Sequence, residues 1–225
     1  MRTAIILLSI FIFCGVTSAQ NENAKNIKVM TIYILENGTK KMQRQAHYDE
    51  SGKVSNEKNY YNGKVTQESK YFYEPDGRLS YREVTWTMGA DEPPMKYKVT
   101  YEYDNDERIS AFRLEGQYST DVSPNYFQYV YDENGRQIKM LHYFRYPDIG
   151  EYSNKLAYTT EYEYDAKGNK IQAIQKCNMD FPDDMTMHYT YDENNYVISS
   201  EVIYSDLTSH IFQYEYELYK WFYKE

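Results

Sequence analysis

The chain has 225 residues, a formal net charge of −9, 28 tyrosines and two cysteines. The acidic balance argues against a nucleic-acid-binding protein, because such proteins present basic patches to phosphates. Only Cys177 lies outside the N-terminal leader, so no disulfide is expected within the mature chain.

An export signal opens the chain. Arg2 gives a positive start, Ile5 to Phe13 is a short apolar run, and small residues lead up to Ala19. This is the pattern of a cleaved signal peptide, and its apolar run is too short to span a bilayer. Cleavage after Ala19 predicts a protein exported to the periplasm, the cell surface or the medium.

Cys14 raises a second possibility, a lipid anchor. The bulky Phe13 disfavours it, since lipoprotein signals place a small residue before the cysteine. The regions are therefore a signal peptide over 1–19, a disordered linker over 20–26 and one domain over 27–225. After cleavage the protein is not expected to be transmembrane.

One short motif recurs along the domain, and such repetition decides architecture. Its clearest copy runs from Tyr129 to Ile138 with the sequence YVYDENGRQI. Alternating tyrosines are typical of a strand, Asp can open a turn, and Gly supplies positive φ within it. Each copy therefore predicts a β-hairpin. The copies start at His47, Tyr71, Tyr101, Tyr129, Tyr162 and Tyr189.

Taken in order, the first third predicts a meander with short turns, over Ile27–Leu35, Thr39–Tyr48, Val54–Tyr60 and Lys64–Tyr73. After Trp86 the connections on one edge lengthen, at Thr87–Met95, Gly116–Asn125, Arg145–Lys155 and Asn178–Thr186. The final strand, Ile211–Tyr223, is expected to cap the repeat array. There are about fourteen strands, a number at which an open sheet curls, splits or flattens. We predict an all-β fold, one elongated, twisted antiparallel meander of repeated hairpins, with curling toward an open barrel as one outcome.

The motif also assigns the two faces of the sheet. Its tyrosines form an aromatic stripe and the residues between them are mostly polar, so one face is expected to be buried and the other solvated. The tyrosines are expected to pack between aliphatic residues of returning strands such as Leu79, Ile109 and Ile138. A bulge would restore the inward facing of Ile138 and Ile171.

The pattern Tyr-Asp-x-x-Gly-Arg-Leu/Ile resembles the YD repeats of Rhs-type proteins, the family of large bacterial toxin casings and teneurins. Copies at Tyr73, Tyr131 and Tyr164 keep the glycine and the upstream tyrosine, with Glu74 replacing the aspartate in the first. The resemblance covers most of residues 47–217 and implies hairpins rather than chemistry. A toxin-casing role does not follow, because the chain is too short to enclose a cargo. The nearer likeness is to small exported YD-repeat-like proteins of Gram-negative bacteria, which are domains of unknown function.

Residues that could carry chemistry occupy ordinary strand positions. A glycan-cleaving enzyme would need paired carboxylates, for which the candidates are Glu102, Glu161, Glu163 and Glu215. The histidines lack the spacing of metal ligands; they are His47, His142, His188 and His210. No metal or other cofactor is expected, and Cys177 is interpreted as a small buried hydrophobe.

These observations favour an exported, non-catalytic binding or structural module of the cell envelope, with a protein or glycan partner. The alternative is the glycan-cleaving enzyme. Loops on a rigid scaffold carry function, so the long-loop edge is the predicted binding site. Acidic and aromatic side chains are combined there, in Trp86, Asp91, Glu92, Asp121, Tyr146, Asp148, Phe181, Asp183 and Asp184.

Overall fold

A computed structural model describes residues 26–87, 93–116, 125–148, 151–179 and 183–219. The predicted signal peptide, the linker up to residue 25 and the segment 220–225 lie outside the described residues. The described strands are β1 (Ile27–Glu36), β2 (Thr39–Tyr48), β3 (Val54–Tyr61), β4 (Lys64–Tyr73), β5 (Leu79–Trp86), β6 (Met95–Tyr103), β7 (Ile109–Gly116), β8 (Asn125–Tyr131), β9 (Gln137–Asp148), β10 (Glu151–Tyr164), β11 (Lys170–Cys177), β12 (Met185–Tyr191), β13 (Val197–Tyr204) and β14 (Ser209–Leu218).

The fourteen strands form a closed antiparallel barrel in which each strand pairs with the next along the chain. β14 pairs with β1, from Leu218 opposite Ile27 to Ile211 opposite Leu35. The predicted all-β meander and its strand number are confirmed, but the sheet closes instead of remaining open. Closure removes the two unpaired edges that an open sheet would present.

Two connections differ from the sequence prediction. The segment Arg145–Lys155 is not a long loop, because β9 extends to Asp148 and β10 begins at Glu151. The final strand is not a cap, since β14 ends at Leu218 and pairs with β1. Both segments gain ladder hydrogen bonds by continuing as strands.

The Asp-opened turns lie at one end of the barrel, which we call the turn rim. In the turn between β8 and β9, Asp132 Oδ1 accepts hydrogen bonds from the backbone N–H groups of Asn134 (2.9 Å) and Arg136 (2.8 Å). Gly135 has a φ of 76°, which glycine adopts without steric cost. The same aspartate bonds recur at Asp49, Asp104, Asp165 and Asp192. The other end of the barrel, with the connections after Trp86, is the loop rim.

A register shift follows each of these turns at the last tyrosine of the motif. Tyr131 lies opposite Gln137, whereas Val130 lies opposite Lys139. Ile138 is therefore displaced outward and 38% exposed, and Ile171 is 39% exposed. The prediction that these two isoleucines face inward was wrong. The bulge places the residue six positions after the tyrosine, such as Gln137 after Tyr131, on the inner face. The residue seven positions after it, such as Ile138, therefore faces outward.

Successive repeats are joined by a ladder of tyrosine hydroxyl groups. Tyr131 donates to the carbonyl of Ile109 at 2.7 Å, and that carbonyl belongs to the first residue of β7. Equivalent bonds of 2.6–2.9 Å run from Tyr73 to Val54, Tyr103 to Leu79, Tyr164 to Gln137, Tyr191 to Lys170 and Tyr216 to Val197. Each repeat is thereby bonded to the one before it.

Long side chains such as those of tyrosine and methionine contribute much of the packing inside the barrel. An eight-stranded barrel is just filled by its side chains, and the interior widens with strand number, so fourteen strands need residues as long as tyrosine. One cluster of buried inner-face residues includes Ile32, Tyr129, Met140, Tyr162 and Phe212. The predicted inward aromatic stripe is confirmed, and the residues between, such as Glu102, Glu163 and Glu215, are exposed.

Candidate binding site

Polar and charged side chains occupy the inner face over β2 to β6. Extending the tyrosine alternation backwards along β2 places Arg44 on the same face as Tyr48, and both are buried. On β4, Gln67 and Ser69 share the inner face with Tyr71 and are 2% and 0% exposed. Buried polar groups need hydrogen-bond partners, so this part of the inner face is a hydrogen-bonded network and not an apolar core.

Glu57 is the anionic centre of that network. Its carboxylate pairs with Arg44, whose side chain is equally buried, and accepts a hydrogen bond from the Tyr71 hydroxyl at 3.0 Å. Burial alone would raise the pKa of Glu57, but the Arg44 and Arg82 guanidiniums and the Tyr71 hydroxyl outweigh it and leave the pKa lowered. Glu57 is therefore ionised in the folded protein at neutral pH.

Arg82 is the second cation of the network. One of its terminal nitrogens donates to the Tyr71 hydroxyl at 3.2 Å, and the guanidinium lies 5.6 Å from the Tyr71 ring centroid. Burial alone would lower the pKa of Arg82, but Tyr101, Tyr71 and Glu57 outweigh it and leave the pKa raised. The guanidinium therefore stays charged. Its Nε is buried without a hydrogen-bond partner, and Arg82 forms no ion pair among the residues that the structure describes.

Neutral polar groups continue the wall toward the loop rim. Tyr97 donates to the Gln67 side-chain carbonyl at 3.3 Å, and the Gln67 amide donates to Ser69 at 3.3 Å. Asn59 donates to the second oxygen of Glu57 at 3.4 Å. Hydroxyl and amide groups therefore surround the ion cluster formed by Arg44, Glu57 and Arg82.

The adjoining wall, over β7 to β10, is aromatic. Phe112, Phe127, His142 and Tyr158 stack across β7 to β10, with centroid distances of 4.1, 4.0 and 5.6 Å. Burial lowers the pKa of His142 to about 3, so the imidazole is neutral at physiological pH. A neutral ring in an aromatic stack is suited to packing rather than to proton transfer near neutrality.

A pocket of about 430 Å³ opens at the turn rim. It is lined by Glu74, Pro75, Asp76, Arg78, Leu79, Ser80, Tyr101 and Tyr103. Tyr101 belongs to the inner face of β6, and Arg82 pairs with Val99, the inner residue before Tyr101 on that strand. The pocket therefore reaches the wall that carries Arg82.

The predicted loop-edge residues are not brought together by the described structure. Asp91, Glu92, Asp121 and Phe181 lie outside the described residues, and Tyr146 and Asp148 are in β9 with only their strand placement described. Trp86 is the last residue of β5, and Asp183 and Asp184 directly precede β12. β5 and β12 are separated by half of the strands of the barrel, so Trp86 is not near the two aspartates.

The two described aspartates have structural partners. Asp183 accepts a hydrogen bond from Tyr158 at 3.3 Å. The Asp184 carboxylate accepts the N–H of Cys177 at 2.7 Å, and its carbonyl accepts the N–H of Ser205. Cys177 itself is half-buried and not in a disulfide, so it is less enclosed than predicted.

The glutamates proposed for a glycan-cleaving enzyme lie on the exposed outer face of three different strands. Glu102 pairs with Arg113 at 2.6 Å, Glu161 with Lys139 at 2.9 Å and Glu215 with Lys40 at 2.7 Å. Glu163 is exposed on β10. They point into solvent, so the structure does not form the carboxylate pair that the enzyme hypothesis requires.

Sequence reasoning missed Arg44, Glu57 and Arg82. A signal for Arg44 was present, because it lies four residues before Tyr48 and so keeps the parity of the tyrosine stripe. Glu57 and Arg82 each follow the bulge after a turn, which shifts parity by one and hides their inward direction from a simple alternation.

Within the described ranges, no group of three metal-ligating side chains comes together. No helix of the described part of the chain is long and apolar enough to cross a membrane.

No protein-family model and no curated protein matches this chain. Similar solved structures include a porin-like protein from Bacteroides vulgatus, with 13% identity over 85% of this chain and 98% of that chain and a TM-score of 0.49. A porin-like protein from Bacteroides uniformis is 8% identical over 85% of this chain and 98% of that chain, with a TM-score of 0.38. The Tc holotoxin pore of Photorhabdus luminescens is 15% identical over 75% of this chain but 9% of that chain, with a TM-score of 0.34. These are similarities of chain trace, and they assign neither a family nor a ligand.

Proposed function

We propose that the protein is an exported, non-catalytic binding protein of the cell envelope that holds a small polar molecule inside its barrel. One observation carries this proposal: an ion cluster, formed by the buried Arg44 and Glu57 and the half-buried Arg82, lies on the inner face of a closed barrel that has a pocket at its turn rim. A buried ion pair is often no more stabilising than the apolar residues that could replace it. Stability alone does not account for this cluster.

The size and position of the pocket support a small ligand. Small-molecule sites typically enclose roughly 300–1,000 Å³ with a few convergent polar groups, and the turn-rim pocket has about 430 Å³. Its rim carries the Arg78–Asp76 pair, and its inner part carries Tyr101 and Tyr103. A sugar-sized molecule is the form of the predicted glycan partner that fits this space.

The outer face supports a barrel that works in water. Cross-strand ion pairs join Lys28 to Glu217 and Lys58 to Glu68, in addition to those made by the glutamates described above. A transmembrane barrel instead turns an apolar band toward lipid and polar residues toward its lumen. The outer face here carries charged pairs instead of an apolar band, which favours the aqueous envelope compartment that the leader predicts.

The chemistry of the described site favours binding over catalysis. The candidate carboxylates for sugar hydrolysis lie on the outer face, and the interior carboxylate, Glu57, is committed to Arg44 and Tyr71. His142 is neutral and enclosed. Neither group is placed to exchange a proton with a molecule in the turn-rim pocket.

Leu79 and Ile109 provide a matched test of the site. Leu79 lines the pocket and lies opposite Tyr73, and Ile109 has the equivalent position opposite Tyr103 in the next repeat without lining the pocket. We screen small sugars and sugar acids for molecules that raise the melting temperature of the mature protein, and we expect Leu79→Trp to fill the pocket and abolish that rise. Ile109→Trp is expected to keep it.

Two outcomes would overturn the proposal. Binding that survives Leu79→Trp as well as Ile109→Trp would show that the pocket is not the binding site. The absence of any stabilising molecule in the screen would leave a structural role instead. Export is tested separately, since deletion of residues 2–19 should retain the protein in the cytoplasmic fraction.

A further inference from the structure

We propose that the molecule held beside Arg82 is a small organic carboxylate, bound through the Arg82 guanidinium. This inference rests on the proposed function and specifies its ligand class. It concerns the cluster of Arg44, Glu57 and Arg82, together with the tyrosines that surround it.

The first argument is charge balance inside the barrel. Over β2 to β6, the buried carboxylate of the described inner face is Glu57, and two guanidiniums, Arg44 and Arg82, share it. Arg44 contacts that carboxylate directly, whereas Arg82 interacts with it without direct contact and donates its hydrogen bond to the neutral Tyr71 hydroxyl. A buried charge is costly unless it is paired, and the cluster lacks one negative charge.

The second argument is the geometry of Arg82. Guanidinium presents its N–H donors as a planar fork that matches a carboxylate. Only one donor–acceptor contact of Arg82, that with Tyr71 at 3.2 Å, occurs among the described residues. The Arg82 side chain is half-buried, and most of its N–H groups are left to donate hydrogen bonds to a ligand.

The third argument is access. Tyr101, on the inner face of β6, lines the turn-rim pocket and is the neighbour that contributes most to the raised pKa of Arg82. Arg82 does not itself line the pocket, so a ligand that enters between the turns after Tyr73 and Tyr103 must extend past the Tyr101 side chain to reach the guanidinium. At the mouth, Arg78 pairs with Asp76 at 2.8 Å, and Glu74 accepts a hydrogen bond from the Ser80 hydroxyl.

The surrounding groups define the rest of the ligand. Tyr71, Tyr97 and Tyr101 offer hydroxyls and ring faces, and Gln67 and Asn59 offer amides. Aromatic faces and hydroxyl partners suit a polyhydroxylated ring, and the cation suits an acid group on it. A sugar acid satisfies both requirements.

The experiment compares two sugars that differ in charge. Galacturonate and galactose are titrated calorimetrically into the mature wild-type protein, Arg82→Gln, Arg82→Lys and the control Arg113→Gln. Arg113 is an outer-face arginine paired with Glu102. We expect galacturonate to bind the wild type and Arg113→Gln, at least tenfold more weakly to Arg82→Lys, and not measurably to Arg82→Gln. Galactose should bind at least tenfold more weakly than galacturonate to the wild type.

The outcomes separate this inference from the proposed function. Equal binding of galactose and galacturonate, sensitive to Leu79→Trp but not to Arg82→Gln, would support the pocket and overturn the proposal of a carboxylate ligand. Binding of inorganic phosphate but not galacturonate would overturn the carboxylate in favour of a phosphate ligand. Failure of both anions to bind while a neutral molecule from the screen does would also overturn it. Circular dichroism checks that each variant is folded. If Arg82→Gln does not fold, Arg82→Lys, which keeps the positive charge, still tests the role of the guanidinium.

Discussion

At the scale of single residues, tyrosine does two jobs in this protein. Its ring fills a barrel that is too wide for short side chains, and its hydroxyl reaches a carbonyl of the preceding repeat, as from Tyr131 to Ile109. Phenylalanine could do only the first. Burial raises the pKa of Tyr131 to about 12, so the hydroxyl remains a donor throughout the physiological range.

Removing one hydroxyl tests the ladder. Tyr131→Phe is expected to lower the free energy of unfolding by about 1 kcal/mol, the typical net worth of a hydrogen bond whose acceptor is left unsatisfied. Tyr60→Phe is the control, because Tyr60 is partly exposed and its hydroxyl has no partner among the described residues. Urea unfolding measures both changes, and equal losses would show that the ladder contributes nothing specific.

Glu57 offers a sharper test of the interior. Glu57→Gln leaves Arg44 and Arg82 without a counter-charge, and breaking a buried pair in this way costs about 3–5 kcal/mol. Glu68→Gln removes an exposed partner of Lys58, 3.7 Å away, and should cost less than about 1 kcal/mol. Chemical denaturation at pH 7 compares the two variants.

The same variant carries a pH signature. The folded-state pKa of Glu57 is lowered, so its stabilisation is present above the unfolded-state pKa of about 4.3 and is lost as the pH falls through the folded value. The wild type should therefore lose stability more steeply than Glu57→Gln below about pH 4. Parallel curves for the two proteins would contradict a charged Glu57.

At the scale of elements, the repeating unit is a β-hairpin. An aspartate stabilises its turn, and an arginine after the turn links that aspartate to a tyrosine of the following repeat. Arg136 Nε donates to Asp132 at 2.7 Å, and its guanidinium lies 5.3 Å from the ring centroid of Tyr164 in the following repeat. Arg108 does the same between Asp104 and Tyr131. The Asp, the Gly, the Arg and the next Tyr of the motif therefore form one contact set.

Some copies of the motif lack the glycine of the turn, and restoring it should stabilise the protein. Glu107 has the glycine position of its turn with a φ of 60°, a left-handed conformation that costs an L-residue roughly 1–2 kcal/mol. Glu107→Gly is expected to raise the free energy of unfolding by about 0.5–1 kcal/mol, after the entropy cost of glycine is deducted. Glu133→Gly, at a turn position without positive φ, should lower it by a similar amount. Thermal unfolding distinguishes the two signs.

The hairpins were predictable from sequence because tyrosine alternation and the Asp–Gly spacing are local signals. The inward charges were not, since the bulge at each tyrosine reverses parity for residues such as Glu57 and Arg82. Ile138 was placed on the wrong face for the same reason. Closure depends on pairing between residues as distant as Ile34 and Phe212, which no local pattern encodes.

At the scale of the whole molecule, stability depends on the seam between the first and last strands. Ile34 and Phe212 lie opposite each other there, 5% and 4% exposed. The Tyr219 N–H also donates to the Asn26 carbonyl at 2.9 Å, and its hydroxyl to the Tyr48 carbonyl at 2.6 Å. The seam is thus packed from inside and bonded at the turn rim.

A truncation at the seam measures its contribution. Phe212→Ala should cost about 3–5 kcal/mol, as for other buried phenylalanines, and the loss should appear in a single cooperative transition. Phe72→Ala is the control, because Phe72 stacks on Tyr81 at 4.5 Å outside the core and should cost about 0.5–1.5 kcal/mol. Denaturation followed by fluorescence gives both values, and similar losses would show that the seam is not critical.

The hydroxyl ladder has a geometric consequence for how such a molecule can vary in size. Because every repeat makes the same bonds to its predecessor, an added pair of strands would meet ready-made partners on both sides. An antiparallel ring closes only with an even number of strands, and a whole hairpin preserves that parity. Gain or loss of a hairpin would therefore change the circumference of the ring, and with it the volume available to a guest, while leaving each local contact as it is.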